Sequence, residues 1–345
     1  MNNFWEKLPK PFFALAPLAN VTDAAFRRLI AKYSKLGHGV SKFVMYTEFV
    51  SADGLCLAGE EGRAKLMRDL VFSDAERPIV AQFFTSTPEH MEKAAALAQK
   101  LGFDGVDINM GCPDKTIEKQ NAGAKLILNP ERAQELIAAA KRGVPNLPVS
   151  VKTRLGYNKD ILEEWLPALL AAKPAAVVIH ARTRKEMSKV PACWERIKRA
   201  VEIRDELGSS TIIIGNGDLK DLEDAGQKIK ETGADGAMLG RAIFGRPWLF
   251  AAGEAEIPFS GEMNTTPTPP KETSASLEKR LRVMVEHTKL FEELLGDIKS
   301  FAIMKKHFKA YCEGFPGAKE LRIRLMETEN AAEVEQIIKE GYSRG

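Results

Sequence analysis

The chain has 345 residues, 44% hydrophobic and 28% charged, an ordinary balance for a globular protein and unlike that of a disordered chain. This length suits one large domain followed by a small one. A net charge of +3 excludes nucleic-acid recognition by bulk charge and leaves a local patch as the alternative. No apolar run reaches about 18 residues, so no membrane-spanning helix is expected, and residues 1–7 lack the charged and apolar blocks of a secretory signal. The four cysteines (56, 112, 193 and 312) form no CxxC pair and no ligand spacing with the five histidines. That excludes a disulfide framework, gives no metal site, and suits free thiols in a reducing cytoplasm.

Eight short apolar runs follow one another along the chain: Phe12–Ala16, Lys42–Tyr46, Ile79–Phe83, Gly105–Ile108, Val149–Lys152, Ala176–His180, Thr211–Gly215 and Gly236–Gly240. Several are rich in β-branched residues and apolar on both faces, as buried parallel strands are. Amphipathic stretches lie between them. Pro88–Lys100 predicts a helix with Thr87 as N-cap, Pro88 in its first turn and Gly102 as C-cap. Pro130–Lys141 predicts another, capped by Asn129 and ended by Gly143. Eight such units in about 240 residues match a (β/α)8 TIM barrel. A doubly wound sheet would carry a glycine fingerprint after its first strand, and Ala16–Asn20 has none. The barrel is expected over residues 1–253. A Pro/Thr-rich linker follows over 254–276, then an all-helical domain over 277–345.

Barrel sites form where strands end. The strand ends read Pro17 with Leu18, Glu48, Gln82, Asn109 with Cys112, Lys152 with Arg154, His180 with Arg182, Asn216 with Asp218, and Gly240 with Arg241. Polar residues collected at one end of a barrel point to an enzyme. Gly111 and Pro113 flank Cys112 and shape its backbone. The thiol is either placed for chemistry or serves as a small apolar residue. The loops after the last two strands, at Asn216-Gly217-Asp218 and Gly240-Arg241, are the usual phosphate site of barrels. Lys152 needs an acceptor or anionic partner at the end of an apolar strand. A flavin ring offers such acceptors. His180 can reach the same ring, and Gln82 and Asn109 suit its edge. Arg154, Arg182 and Asn109 are candidates for substrate contact. In the tail, Lys305, Lys306, His307 and Lys309 cluster among Phe301, Phe308, Tyr311 and Phe315, a pattern that suits a phosphate-tracking surface.

These residues, taken together, resemble the tRNA-dihydrouridine synthases. The likeness lies in Leu15–Asp23, Thr47–Ala52, Asp107–Pro113, Val151–Gly156, His180–Arg184, Gly215–Asp218 and Gly240–Ala242, and in the tail segments Lys306–Tyr311 and Gly314–Ala318. The resemblance implies a flavin-mononucleotide (FMN) barrel followed by a helical tRNA-binding domain. It implies hydride delivery to C6 of a uracil, with NADPH regenerating the flavin. Cys112 then matches the residue that protonates C5, and Pro17, Gln82, Lys152, His180, Asn216 and Arg241 match flavin contacts. Cys193 stands where many members carry an acidic residue. The chemistry agrees independently, because a neutral thiol with a pKa near about 8.5 still holds its proton at neutral pH. Two other readings compete. One is a small-molecule flavin oxidoreductase of the dihydroorotate or dihydropyrimidine dehydrogenase type. The other is a non-catalytic RNA-binding barrel. A monomer in the cytoplasm is the default expectation.

Overall fold

Alternating inward and outward side chains dictate how eight parallel strands close on themselves. In the computed structural model, which describes residues 3–34, 43–251 and 274–342, the strands are β1 (Phe12–Leu15), β2 (Phe43–Ser51), β3 (Ile79–Phe84), β4 (Gly105–Met110), β5 (Val149–Arg154), β6 (Ala176–His180), β7 (Ile212–Asn216) and β8 (Gly236–Leu239). They form a closed barrel in chain order, with β8 pairing in parallel to β1. The expected TIM barrel is the observed one. β6 coincides with the expected run. β4 and β5 extend further, so Asn109 and Arg154 sit inside strands rather than in loops. β2 is the longest strand, and its register against β3 shifts between Tyr46 and Phe49. That bulge bends the strand beside the barrel mouth.

Phe12 and Ala14 of β1 with Ala16 just past its end, Val44 and Tyr46 of β2, Val80 of β3, Val178 of β6, Ile214 of β7 and Met238 of β8 pack into one buried cluster. These residues share one parity along their strands, the inward one. The same parity turns Gln82, Asp107, Asn109, Ser150, Lys152 and Arg154 inward as well. The interior is therefore apolar on one side and hydrogen-bonded on the other, with β3, β4 and β5 carrying the polar side.

The helices cover the barrel as their sequences require. Pro88–Leu101 ends at Gly102, whose φ of +84° is left-handed and whose N–H reaches the carbonyls of Ala98 and Gln99. This is the expected glycine cap. Gly143 differs. The helix runs through it, from Pro130 to Gly143, with Val144 as cap. A Cβ at 143 would stand 2.2 Å from the Glu92 carbonyl oxygen of the neighbouring helix. Close helix approach, not a turn, requires glycine there.

Residues 24–34, 243–251 and 274–342 form a second compact unit, distinct from the barrel residues 3–23 and 43–242. It contains the helices Ala24–Ser34, Ser274–Leu295, Met304–Tyr311, Ala318–Met326 and Ala331–Tyr342. Of the linker expected over 254–276, residues 254–273 lie outside the described residues, and helix begins at Ser274. Phe26, Met284, Phe291, Met304, Phe308 and Tyr311 are buried in this unit. His307 is buried with them rather than sharing the basic surface. Its ring centroid is 4.5 Å from that of His287 and 4.8 Å from that of Phe26, and burial pushes its pKa down to about 3. Among the described residues, no helix is long and apolar enough to cross a membrane.

Gly143→Ala should destabilise the barrel by about 1–3 kcal/mol through overpacking, read as a lower denaturant midpoint at unchanged slope. An unchanged midpoint would show that the two helices separate freely.

Candidate active site

The C-terminal ends of the strands surround a cavity of about 640 Å³, within the ordinary range for a ligand site. Cys112, Asn109, Lys152, Arg154, His180, Arg182, Asn216, Asp218 and Arg241 all line it, as do Pro17, Leu18, Gly217 and Gly240. Gln82 and Glu48 do not. Gln82 lies fully buried beneath the cavity. Glu48 accepts a hydrogen bond from the Asn20 backbone N–H.

The Cys112 loop is held from several sides. Asn109 Oδ1 accepts from the N–H of Gly111 at 3.1 Å and of Cys112 at 2.9 Å. Arg154 Nε donates to the Gly111 carbonyl at 2.7 Å, and the Ala124 N–H donates to the Cys112 carbonyl at 2.9 Å. Gly123 has φ +62°, and a Cβ there would lie 2.7 Å from that same carbonyl. Asp114 caps the short Lys115–Glu118 helix that follows. The thiol packs against a small apolar cluster of Phe84, Ile117 and Ala122, beside Phe49. Burial pushes its pKa up, with the Asp114 carboxylate acting the same way against the Asp114 backbone N–H and the charges of Arg154 and Lys152. The group therefore keeps its proton at neutral pH. Around the rim, Arg184 forms a two-contact ion pair with Glu118 and lies 5.2 Å over the Tyr157 ring. This latch ties together the loops after β4, β5 and β6.

The rest of the wall is cationic. Lys152 Nζ donates to Asn216 Oδ1 at 3.2 Å, and Asn216 Nδ2 donates to the Met238 carbonyl at 2.7 Å. Burial, then the Arg154 charge, pull the Lys152 pKa down to about 8 against Asp107 and Cys112. The Arg182 guanidinium donates to His180 Nε2 at 3.1 Å and to the Val190 carbonyl at 2.6 Å. Asp218 accepts from Arg182, from Arg241 at 2.6 Å and from the Ala192 N–H at 2.9 Å, and the hydrogen bond from Arg182 leads in lowering its pKa. Gly217 has φ +137°, and a Cβ there would meet Ala192 at 2.7 Å. Trp194 Nε1 fixes the same turn by donating to the Gly217 carbonyl at 3.0 Å. Because a guanidinium can only donate, His180 Nε2 is an acceptor and Nδ1 carries the hydrogen. Burial and the charges of Lys152, Arg154, Arg182 and Arg241 push the His180 pKa down to about 2.

Reading strand ends alone overlooks Phe49 and Ser188, which also line the cavity. It also passes over Asp107 and Ser150, although their parity with Asn109 and Lys152 was available. In the helical unit, Lys306 and Lys309 are exposed and Lys305 is half-buried. None of the three forms an ion pair among the described residues. Phe308 and Tyr311 point into the core instead of stacking at the surface. Their spacing with Met304 and His307 is that of an amphipathic helix.

The sequence model of the family described as Dihydrouridine synthase (Dus) matches residues 14–344. The chain is 38% identical over 340 residues to a probable tRNA-dihydrouridine synthase of Staphylococcus aureus (strain COL), covering 98% of this chain and 95% of that one. It is 38% identical over 338 residues to the probable tRNA-dihydrouridine synthase 2 of Bacillus subtilis (strain 168), covering 97% and 95%. Among solved structures, a histamine dehydrogenase from Rhizobium sp. 4-9 is similar over 69% of this chain and 44% of that chain, with 13% identity and a TM-score of 0.48.

The His180 environment should keep its ring neutral across the working range of an enzyme. Its imidazole NMR shifts should not move between about pH 5 and pH 8, where an ordinary histidine titrates near about 6.5. A midpoint in that interval would mean that the cationic wall does not act on it.

Proposed function

The chain belongs to the dihydrouridine synthase family, and from that premise we propose that it reduces the 5,6 double bond of uridines in tRNA. The observation that carries the reading is one cavity lined by both a protonated thiol, Cys112, and a wall of donors and cations. FMN is the resident cofactor in this reading, with NADPH as its reductant.

The donor chemistry of the cavity suits a flavin. An ammonium has three N–H groups, and Lys152 donates one of them to Asn216. Asp218 brings the cavity a carboxylate, but two arginines already hold it. Flavin ring acceptors would meet Lys152, His180, Asn109 and Asn216, with Pro17 and Leu18 beside them. The flavin phosphate would meet Gly217, Gly240 and Arg241, with Asp218 aiming the guanidinium. Gln82 belongs to the same group through Asn109, to which it is bonded at 3.0 Å.

When bound, reduced FMN supplies the hydride that adds to C6 of the uracil. Cys112 gives its proton to C5, where enolate character develops. Arg154 and Lys152 lie close enough to favour the thiolate left behind. A positioned general acid is worth about 10²–10⁴ in rate. Arg154 and Arg182 border the uridine in this reading. The base must leave its stack, at a cost of a few kcal/mol. Phosphate contacts from Lys305, Lys306 and Lys309 of the helical unit, expected over 277–345, offset that cost. The work is that of a monomer in the cytoplasm, where tRNA is.

Purified protein should be yellow, and Cys112→Ala should keep the flavin absorbance while dihydrouridine formation falls by about 10²–10⁴. A protein that stays colourless after reconstitution with FMN, or a Cys112→Ala variant with full activity, overturns the reading.

Lys152 supplies a pH test. Its lowered pKa means the free protein sheds this proton at about pH 8, below the ordinary lysine value of about 10.4. Below that pH the ammonium is present to bind an anionic, acceptor-rich ligand, and above it the charge is lost. FMN affinity should therefore decline as pH rises through about 8, and the decline should vanish in Lys152→Gln. A wild-type affinity that is flat between pH about 7 and about 9 would remove Lys152 from the contact set.

A further inference from the structure

We propose that Asp107 is a positioning residue that sets the hydrogen-bond polarity of the Cys112 loop through Gln82 and Asn109. Asp107 is fully buried and does not line the cavity. The proposal rests on the reading of Cys112 as the proton donor and extends it to the barrel interior.

Five residues form one chain of bonds with a single direction. The N–H groups of Gly111 and Cys112 donate to Asn109 Oδ1 at 3.1 and 2.9 Å. Asn109 Nδ2 donates to Gln82 Oε1 at 3.0 Å. Gln82 Nε2 donates to Asp107 Oδ2 at 2.7 Å. A side-chain amide can be turned end for end, so neither Gln82 nor Asn109 defines its own orientation. The two ends of the chain do. One end is a pair of backbone N–H groups, which can only donate. The other is a carboxylate, which can only accept. Every bond between them is then fixed in direction. Were Gln82 reversed, Asn109 would reverse as well, and its Nδ2 would face the two loop N–H groups donor to donor.

The carboxylate is itself held in place. Asp107 Oδ1 accepts from Ser150 Oγ at 2.6 Å, and Gln82, Asp107 and Ser150 are register neighbours across β3, β4 and β5. The titratable groups acting on it are Tyr46 from β2 and Lys152 from β5. Burial pushes the Asp107 carboxyl up to about 6 against the bonds from Ser150 and Gln82 and the Lys152 charge. It therefore remains an acceptor at neutral pH. A buried donor left without its acceptor loses the full benefit of its solvation, enough to turn the amides or release the loop.

Four variants test this: Asp107→Leu, Asp107→Asn, Gln82→Glu, and Gln82→Glu combined with Asp107→Asn. Two quantities are read. One is the rate at which iodoacetamide alkylates Cys112, followed by peptide mass spectrometry. The other is kcat and KM for dihydrouridine formation. Asp107→Leu removes the acceptor and should speed alkylation and lower kcat by about tenfold each, with KM nearly unchanged. Asp107→Asn keeps an oxygen toward Gln82 and turns its amide to Ser150 Oγ, so both quantities should stay near wild type. Gln82→Glu sets two carboxylates against each other; they share a proton at neutral pH, and as pH rises and that proton is lost their repulsion should speed alkylation and lower kcat, against wild type at the same pH, as Asp107→Leu does. Adding Asp107→Asn to it restores a donor between positions 107 and 82, and should restore both quantities. Wild-type alkylation in a folded Asp107→Leu, or no rescue in the double variant, overturns the proposal. If Asp107→Leu does not fold, the rescue pair decides alone. The Cys112 reading fails separately, through full activity of Cys112→Ala, while the alkylation results would stand.

Discussion

Closure is the constraint on which the rest depends. A closed barrel has no sheet edge, so an inward polar side chain must find its partner on a neighbouring strand or in the cavity above. Here β3, β4 and β5 turn Gln82, Asp107, Asn109, Ser150 and Lys152 inward, and the register pairs Gln82 with Asp107, Asp107 with Ser150, and Asn109 with Lys152. The apolar half of the interior seals the barrel. The polar half becomes a hydrogen-bonded floor under the cavity. The site is thus the last layer of the barrel's own packing, and its groups inherit the rigidity of the strands.

The surroundings of the thiol favour the acid role proposed for it over nucleophilic work. A nucleophilic cysteine is usually activated by a nearby cation or helix N-terminus that lowers its pKa. Around Cys112, burial leads and raises it, with Arg154 and Lys152 only opposing. Those same charges lie ready to stabilise the thiolate after the proton has gone. His180 takes no proton at working pH because burial and four cations act on it together. That leaves it a neutral hydrogen-bonding group, with its acceptor nitrogen already facing Arg182. In the proposed reaction, proton transfer and charge binding are divided between different residues in one cavity.

Much of this was legible in the sequence, and the exceptions have physical causes. The strand runs were plain because fully buried parallel strands are continuously apolar. The cavity residues were plain because strand ends are sequence-local. Glycines were ambiguous. At Gly102 the local helix pattern identifies the left-handed cap, whereas Gly143 answers to Glu92 on another helix, which no local pattern carries. Gln82 looked like a strand-end residue, yet β3 continues to Phe84 and leaves it a layer lower. Asp107 was hidden differently. It stands in a run whose apolar neighbours announce a strand, and its importance appears only when strand parity and cross-strand register are read together.

The tail shows the same distinction between composition and geometry. Basic residues interleaved with aromatics resemble a base-stacking surface when read linearly. On a helix, Met304, His307, Phe308 and Tyr311 fall on one face and enter the core, while Lys306 and Lys309 fall on another and meet solvent. Phe308 and Tyr311 therefore build the core under the lysines. What reaches solvent is charge with no ion-pair partner among the described residues, and such charge reads a phosphate backbone without reading bases. Selection among uridines then cannot come from these lysines through base contacts. In the proposed reaction it comes from the shape of the RNA and from the cavity that would receive one base.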